Sequence, residues 1–109
     1  YEDEYATSHE ITEATWTQTY GSSIYLFHIA AFDNLEAYLV AQNDASNAYN
    51  AELWSRFDWV YDGANLYSCQ YAYAADSQAT AAGDNGADET DLTTGCGGFA
   101  WTMLTPVTQ

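Results

Sequence analysis

The chain contains no lysine and a single arginine, Arg56, against sixteen Asp and Glu, so its formal net charge is −15 over 109 residues. A surface of that sign cannot displace the counterions of a phosphate backbone, which excludes nucleic acid as a partner and disfavours anionic membranes. It favours solubility at high ionic strength, and cations as ligands or bridges. Long apolar runs are also missing. The longest, Ile24 to Phe32, is interrupted by His28 and falls short of the roughly 18 residues of a membrane span, so no membrane insertion is expected. No Asn-x-Ser/Thr sequon occurs, which excludes standard N-glycosylation. Catalytic patterns are absent as well. There is no GxSxG and no HExxH, and the two histidines, His9 and His28, stand apart and read as structurally satisfied side chains. With sixteen acids in a short chain some carboxylate pair arises by chance, so a glycosidase-like pair carries little weight. An enzyme is not expected.

What the chain does have is aromatic surface: ten Tyr, four Trp and four Phe, or 17% of the residues. These side chains suit strands, half-buried faces and interfaces. The hydrophobic fraction of 48% is that of a globular protein, so the acidity does not signal disorder. The length predicts one domain. The sequence opens on Tyr1, the expectation being a chain whose secretion signal has been removed, or a piece of a longer protein.

Cys69 and Cys96 are read as one disulfide of an extracellular chain, closing a polar Gly/Ala-rich segment and worth about 3.5 kcal/mol on a chain-entropy model. Two free thiols in a salt-rich cytosol are the rival reading. Neither cysteine has a CxxC partner, so zinc is not expected.

The pattern predicts an all-β fold, an antiparallel meander of six to eight strands closing as a small barrel or sandwich. Residues 1–7 read as an extended segment able to donate a strand, and 8–109 as a single β-domain. Strands are expected at His9–Thr12, Thr15–Tyr20, Ile24–Phe32, Ala37–Gln42, Leu53–Tyr61, Leu66–Tyr73 and Phe99–Val107. One short Ala-rich helix is expected near 74–82, ended by Gly83. A turn at Asp33–Glu36 pairs Phe32 with Ala37 and sets the face of Tyr25, Phe27, Ile29 and Ala31 opposite Tyr38 and Val40. Both faces of that hairpin are then apolar. One face needs a cover: the helix, another sheet, a ligand or a neighbouring subunit. In the next hairpin, Phe57, Trp59 and Tyr61 share a face with Tyr67, Cys69 and Tyr71 only if the loop around Gly63 has three or five residues.

Three groups of candidate residues follow. Asp84, Asp88, Glu89 and Asp91 put hard oxygen ligands on one loop, the donor set that Ca2+ requires, although the spacing is not that of an EF-hand. Arg56, alone among carboxylates, is expected in a structural ion pair with Asp58, its same-face neighbour. Tyr25, Phe27, Tyr38, Trp54 and Trp59 form the candidate binding or interface set.

The segments Ala41–Asp44, Trp54–Trp59 (WSRFDW), Leu66–Gln70 (LYSCQ) and Gly95–Phe99 (GCGGF) resemble secreted or lipoprotein-like bacterial domains of unknown function, over roughly residues 5 to 104. The resemblance implies a secreted bacterial chain with a Cys69–Cys96 pair and transfers no activity. The functional expectation is therefore an extracellular structural subunit that assembles with copies of itself into a filament or surface layer, by strand addition and with calcium offsetting the charge. The alternative is a β-module binding carbohydrate (glycan partners) or a small ligand.

Overall fold

The structure, a computed structural model, describes residues 1–107. Its strands are β1 (Glu2–Asp3), β2 (Ser8–Ile11), β3 (Thr15–Tyr20), β4 (Ser23–Asp33), β5 (Tyr38–Asn43), β6 (Trp54–Asp62), β7 (Asn65–Ala75) and β8 (Thr102–Thr105), with one helix, α1 (Gln78–Gly83), between β7 and β8. Each strand pairs antiparallel with the next, and β1 pairs with β8, so the meander closes into an eight-stranded barrel. Residues 2–3, read from the sequence as part of a donatable segment, complete the ring of their own chain through Glu2–Thr105 and Asp3–Leu104. Every described strand has two neighbours, and closure removes the edges at which further strands add.

The core is narrow and aromatic. Trp16 stacks on Phe57 at 4.3 Å between ring centroids, and Phe27 meets the same ring edge-on at 5.1 Å. Leu39, Ala41 and Leu104 complete the buried cluster. These side chains fill the waist of the barrel, as expected where an eight-stranded ring leaves room for little more than side chains.

Two local features set which residues face inward. The β4–β5 connection is Asn34–Ala37, one residue later than the expected turn, with Ala37 at φ 57°. A bulge then falls between Ile29 and Ala31. It places Ile29 opposite Ala41 and Phe27 opposite Asn43, not opposite Val40 and Gln42 as the expected turn would. In the second hairpin Asp62 pairs with Asn65 across a two-residue turn in which Gly63 takes φ +62°. The odd-numbered loop expected from the aromatic spacing is not formed. A left-handed glycine matches the strand twist better than a wider loop does. Phe57 and Trp59 therefore share the interior with Gln70 and Ser68, while Cys69 lies on the outer side opposite Asp58.

That outer side is covered from within the chain. Helix α1 packs on β5, β6 and β7, with Ala81 fully buried. The sequence places the helix start too early: Ala74 and Ala75 belong to β7, and the helix begins after Ser77, whose side chain caps the Thr80 amide. Segment 84–101 follows, bound to β7 by the Cys69–Cys96 disulfide with the two Cα atoms 5.7 Å apart. Gly95 is required there, because a Cβ would collide with the Asp88 and Asp91 carbonyl oxygens.

Candidate functional site

The two ends of the barrel differ in chemistry. At the end bearing the β2–β3, β4–β5 and β6–β7 turns, the stacked Trp16–Phe57 pair stops short of the rim. A cavity of about 350 Å³ remains. Ile29, Leu39, Leu66 and Leu104 wall it, Trp16 and Trp59 supply aromatic faces, and Phe32, Tyr61 and Glu13 stand at its mouth. Phe32 and Tyr61 are more than half exposed, an arrangement that leaves apolar surface in water unless something covers it.

Two polar groups interrupt this lining. Ser68 is 6% exposed and pairs in register with Trp59, and both line the cavity. They bring a hydroxyl and an indole to an otherwise apolar wall, and a few polar groups among apolar ones are how small-molecule sites orient a ligand. Trp16 is different. Its Nε1 donates to His9 Nδ1 at 3.0 Å, so Nδ1 must be the acceptor and the proton of a neutral ring sits on Nε2, which bonds Asp3 Oδ2 at 2.8 Å. Burial raises the Asp3 pKa, but hydrogen bonds from His9 and from the Thr7 and Tyr5 amides outweigh it and hold the carboxyl below its ordinary value. His9 is thus the structural side chain expected of it, fastening β1 to the floor of the cavity.

The opposite end is polar and tied shut. Asn43, 3% exposed, donates to the carbonyls of Asn50 and Tyr73 and accepts from Ser55, which in turn accepts from Gln70. Asn47 clamps Leu26 like a neighbouring strand, Oδ1 accepting its N–H and Nδ2 donating to its carbonyl, each at 2.9 Å. Asparagine at such positions is ordinarily a turn residue. Nothing in the spacing of Asn43 and Asn47 announces that both are buried. A second recess of about 280 Å³ lies here, lined by Gln18, Tyr25, Tyr49 and Tyr73 among others.

The residues singled out from the sequence are distributed as follows. Arg56 Nε and Nη2 donate to the two oxygens of Asp58 at 2.9 and 3.1 Å, Nη1 donates to the Ala82 carbonyl, and the guanidinium lies 3.9 Å from the centre of the Tyr38 ring. The five aromatics of the candidate interface do not form one surface. Phe27 is in the core, Tyr38 covers Arg56 on the outside, Tyr25 and Trp59 line opposite recesses, and Trp54 is half-buried at the start of β6. Trp16 and Trp101 are buried, so no exposed tryptophan pair exists.

Asp84, Asp88, Glu89 and Asp91 are not drawn together, and among the described residues no three His, Cys, Asp or Glu side chains are grouped to hold a metal. Asp88 accepts from the Thr90 amide and hydroxyl, and Asp91 from the amides and hydroxyls of Thr93 and Thr94, as Asx-turn residues do. The Thr94 and Thr93 hydroxyls lower the Asp91 pKa from 3.8 to about 2. At the far end of the barrel the Ser46 hydroxyl and then His28, 2.6 Å away, do the same for Asp44. Both folded-state values lie below the unfolded one, so each carboxylate adds stability that is complete above pH 4 and lost as pH falls toward 2. Relief of the −15 charge acts in the same window on every variant alike. Asp91→Asn and Asp44→Asn should therefore show a flatter acid limb than the parent when urea midpoints are compared between pH 4 and pH 2. Parallel limbs would show that these bonds do not persist in solution.

Fold and cavity together define a class: an up-and-down eight-stranded barrel with one apolar mouth. Neither a protein-family model, nor a curated protein, nor a solved structure matches the chain. Among the described residues no helix is long and apolar enough to cross a membrane. The disulfide is compatible with an extracellular setting.

Proposed function

We propose that this protein is a secreted bacterial binding module that takes up a small, largely apolar molecule in the mouth of its barrel. The carrying observation is the 350 Å³ cavity above the Trp16–Phe57 stack, of the size that encloses a compact ring system. Burial of the body of the ligand against Ile29, Leu39, Leu66 and Leu104 supplies the affinity. Ser68 and Trp59 supply two directional donors. The expectation of a self-assembling filament drew on a surplus apolar face and a donatable N-terminal strand. In the fold, α1 packs on β5–β7, the disulfide segment is tethered to β7, the outer side of β4 keeps exposed Ile24, and β1 closes the barrel. The mouth is the concave apolar feature of the fold, and it supports a ligand in place of a second copy.

The test uses N-phenyl-1-naphthylamine, an uncharged probe that fluoresces in apolar surroundings. Saturable binding at one site per chain, with micromolar affinity, is expected. Ile29→Trp, which fills the chamber from its wall, should weaken binding about tenfold or more, roughly 1.4 kcal/mol, while the near-ultraviolet circular dichroism stays native. Absence of saturable binding, or equal binding by the filled variant, would overturn the proposal.

A further inference from the structure

We infer that the mouth selects cations: its ligand is an organic ammonium, with the apolar body inside and the charged nitrogen at the rim. This rests on the reading of the mouth as a binding site and names the chemistry of what enters it. The first observation is the charge of the lining. Glu13 is its single carboxylate, and no Lys, Arg or His contributes to it. The second is that no cationic side chain reaches in to neutralise an anion; the Tyr1 amino group, on a lining residue, is engaged by the His9 carbonyl at 2.9 Å. The chain has no lysine, and its one arginine is on the outer side of the wall, with Nε and Nη2 held by Asp58 and Nη1 by the Ala82 carbonyl. A carboxylate or phosphate ligand would meet Glu13 with no side-chain counter-charge in the lining. Asp33 and Asp62 at the ends of the neighbouring strands would add to the repulsion.

The third observation is aromatic. Phe32 and Tyr61 line the mouth with 54% and 62% of their surface exposed, and Glu13 and Trp59 line the same cavity. Aromatic faces carry negative quadrupole and attract ammonium groups, most strongly where the ring is Trp or Tyr and a carboxylate stands close. A neutral apolar ligand gains the walls alone. An ammonium gains the walls, the rings and Glu13. Because the nitrogen stays at an open rim, it keeps part of its hydration, and the desolvation cost that penalises a fully buried charge is avoided.

Three probes of similar size separate the terms: benzyltrimethylammonium, its uncharged carbon isostere neopentylbenzene, and phenylacetate. Each is titrated calorimetrically into the native, oxidised protein at low and at moderate salt. The ammonium should bind about fivefold more tightly than the isostere, and phenylacetate should not bind detectably. Added salt should narrow the gap. Glu13→Gln should remove most of the preference. Glu52→Gln, which deletes a charge at the opposite end of the barrel, should leave it intact. Equal affinity for the ammonium and the isostere, or tighter binding of the anion, would overturn the selectivity and leave the apolar site standing. Loss of preference in both variants alike would show a diffuse field in place of a rim contact, and would overturn the role of Glu13. Failure of all three probes, together with failure of the naphthylamine, would overturn the site itself.

Discussion

Asp58→Ala should cost about 3–5 kcal/mol of folding stability, far more than an ordinary polar truncation. The reason is what it leaves behind. Arg56 is 4% exposed, flanked by Val40 and Ala72 on neighbouring strands and held under helix α1. Without Asp58, the guanidinium keeps one carbonyl and the face of Tyr38 but loses both charge-assisted bonds. A buried charge must then be rehydrated, or α1 must lift away from β5–β7. The paired replacement Arg56→Met with Asp58→Leu removes both charges and should be close to neutral, because the desolvation cost and the pairing disappear together. Equilibrium urea unfolding of the single and double variants measures the difference. A single-variant loss below about 1 kcal/mol would mean that Arg56 reaches water with ease, the behaviour of a surface pair.

Opening the Cys69–Cys96 disulfide is the second large perturbation. Its sequence separation of 27 corresponds to about 3.5 kcal/mol of loop-closure entropy in the denatured chain. Against a total stability of roughly 5–15 kcal/mol that is a substantial share, and it translates into a fall in Tm of about 15 °C. The order of events is specific. Segment 84–101 is held by the disulfide, by the Trp101 amide on the Leu92 carbonyl and by Trp101 Nε1 on the Asp88 carbonyl. Under mild reduction this segment should become the first site of proteolysis, while β2–β7 stay protected. Calorimetry with and without reductant, and limited proteolysis read by mass spectrometry, check both parts. Unchanged Tm after complete reduction would show that the segment packs without its tether.

The all-β class, the strand count and the Arg56–Asp58 pair are legible in the sequence because each rests on a local signal: alternation, turn residues, a lone cation among acids. Register is not so legible. The bulge between Ile29 and Ala31 leaves no mark in an Ala-Ala step, yet it decides that Ile29 meets Ala41. The aromatic stripe of β7 suggests an inward face, but the two-residue turn at Gly63 sends Cys69 outward beneath the disulfide segment. The acidic loop looks like a ligand set because composition records which oxygens are present and not where they point. The threonines two and three residues after Asp88 and Asp91 are the sign that those oxygens serve turns. Of the cavity, Trp59 is visible in advance as an aromatic to place somewhere. That it shares a chamber with Ser68, Ile29 and Glu13 follows from long-range register alone.

The ring is closed by a short join. β1 contributes two residues, Glu2 and Asp3, and their partners Thr105 and Leu104 lie at the far end of β8. A tensile load applied through the two ends of the fold therefore pulls both strands from the same side of the seam. The bonds break in sequence, as in a zipper, and do not share the force as they would in shear. Under tension the barrel would yield early along β1–β8, releasing the Asp3–His9–Trp16 chain of bonds and the chamber floor with it. The cavity would lose the part of its wall that Tyr1 and Leu104 provide.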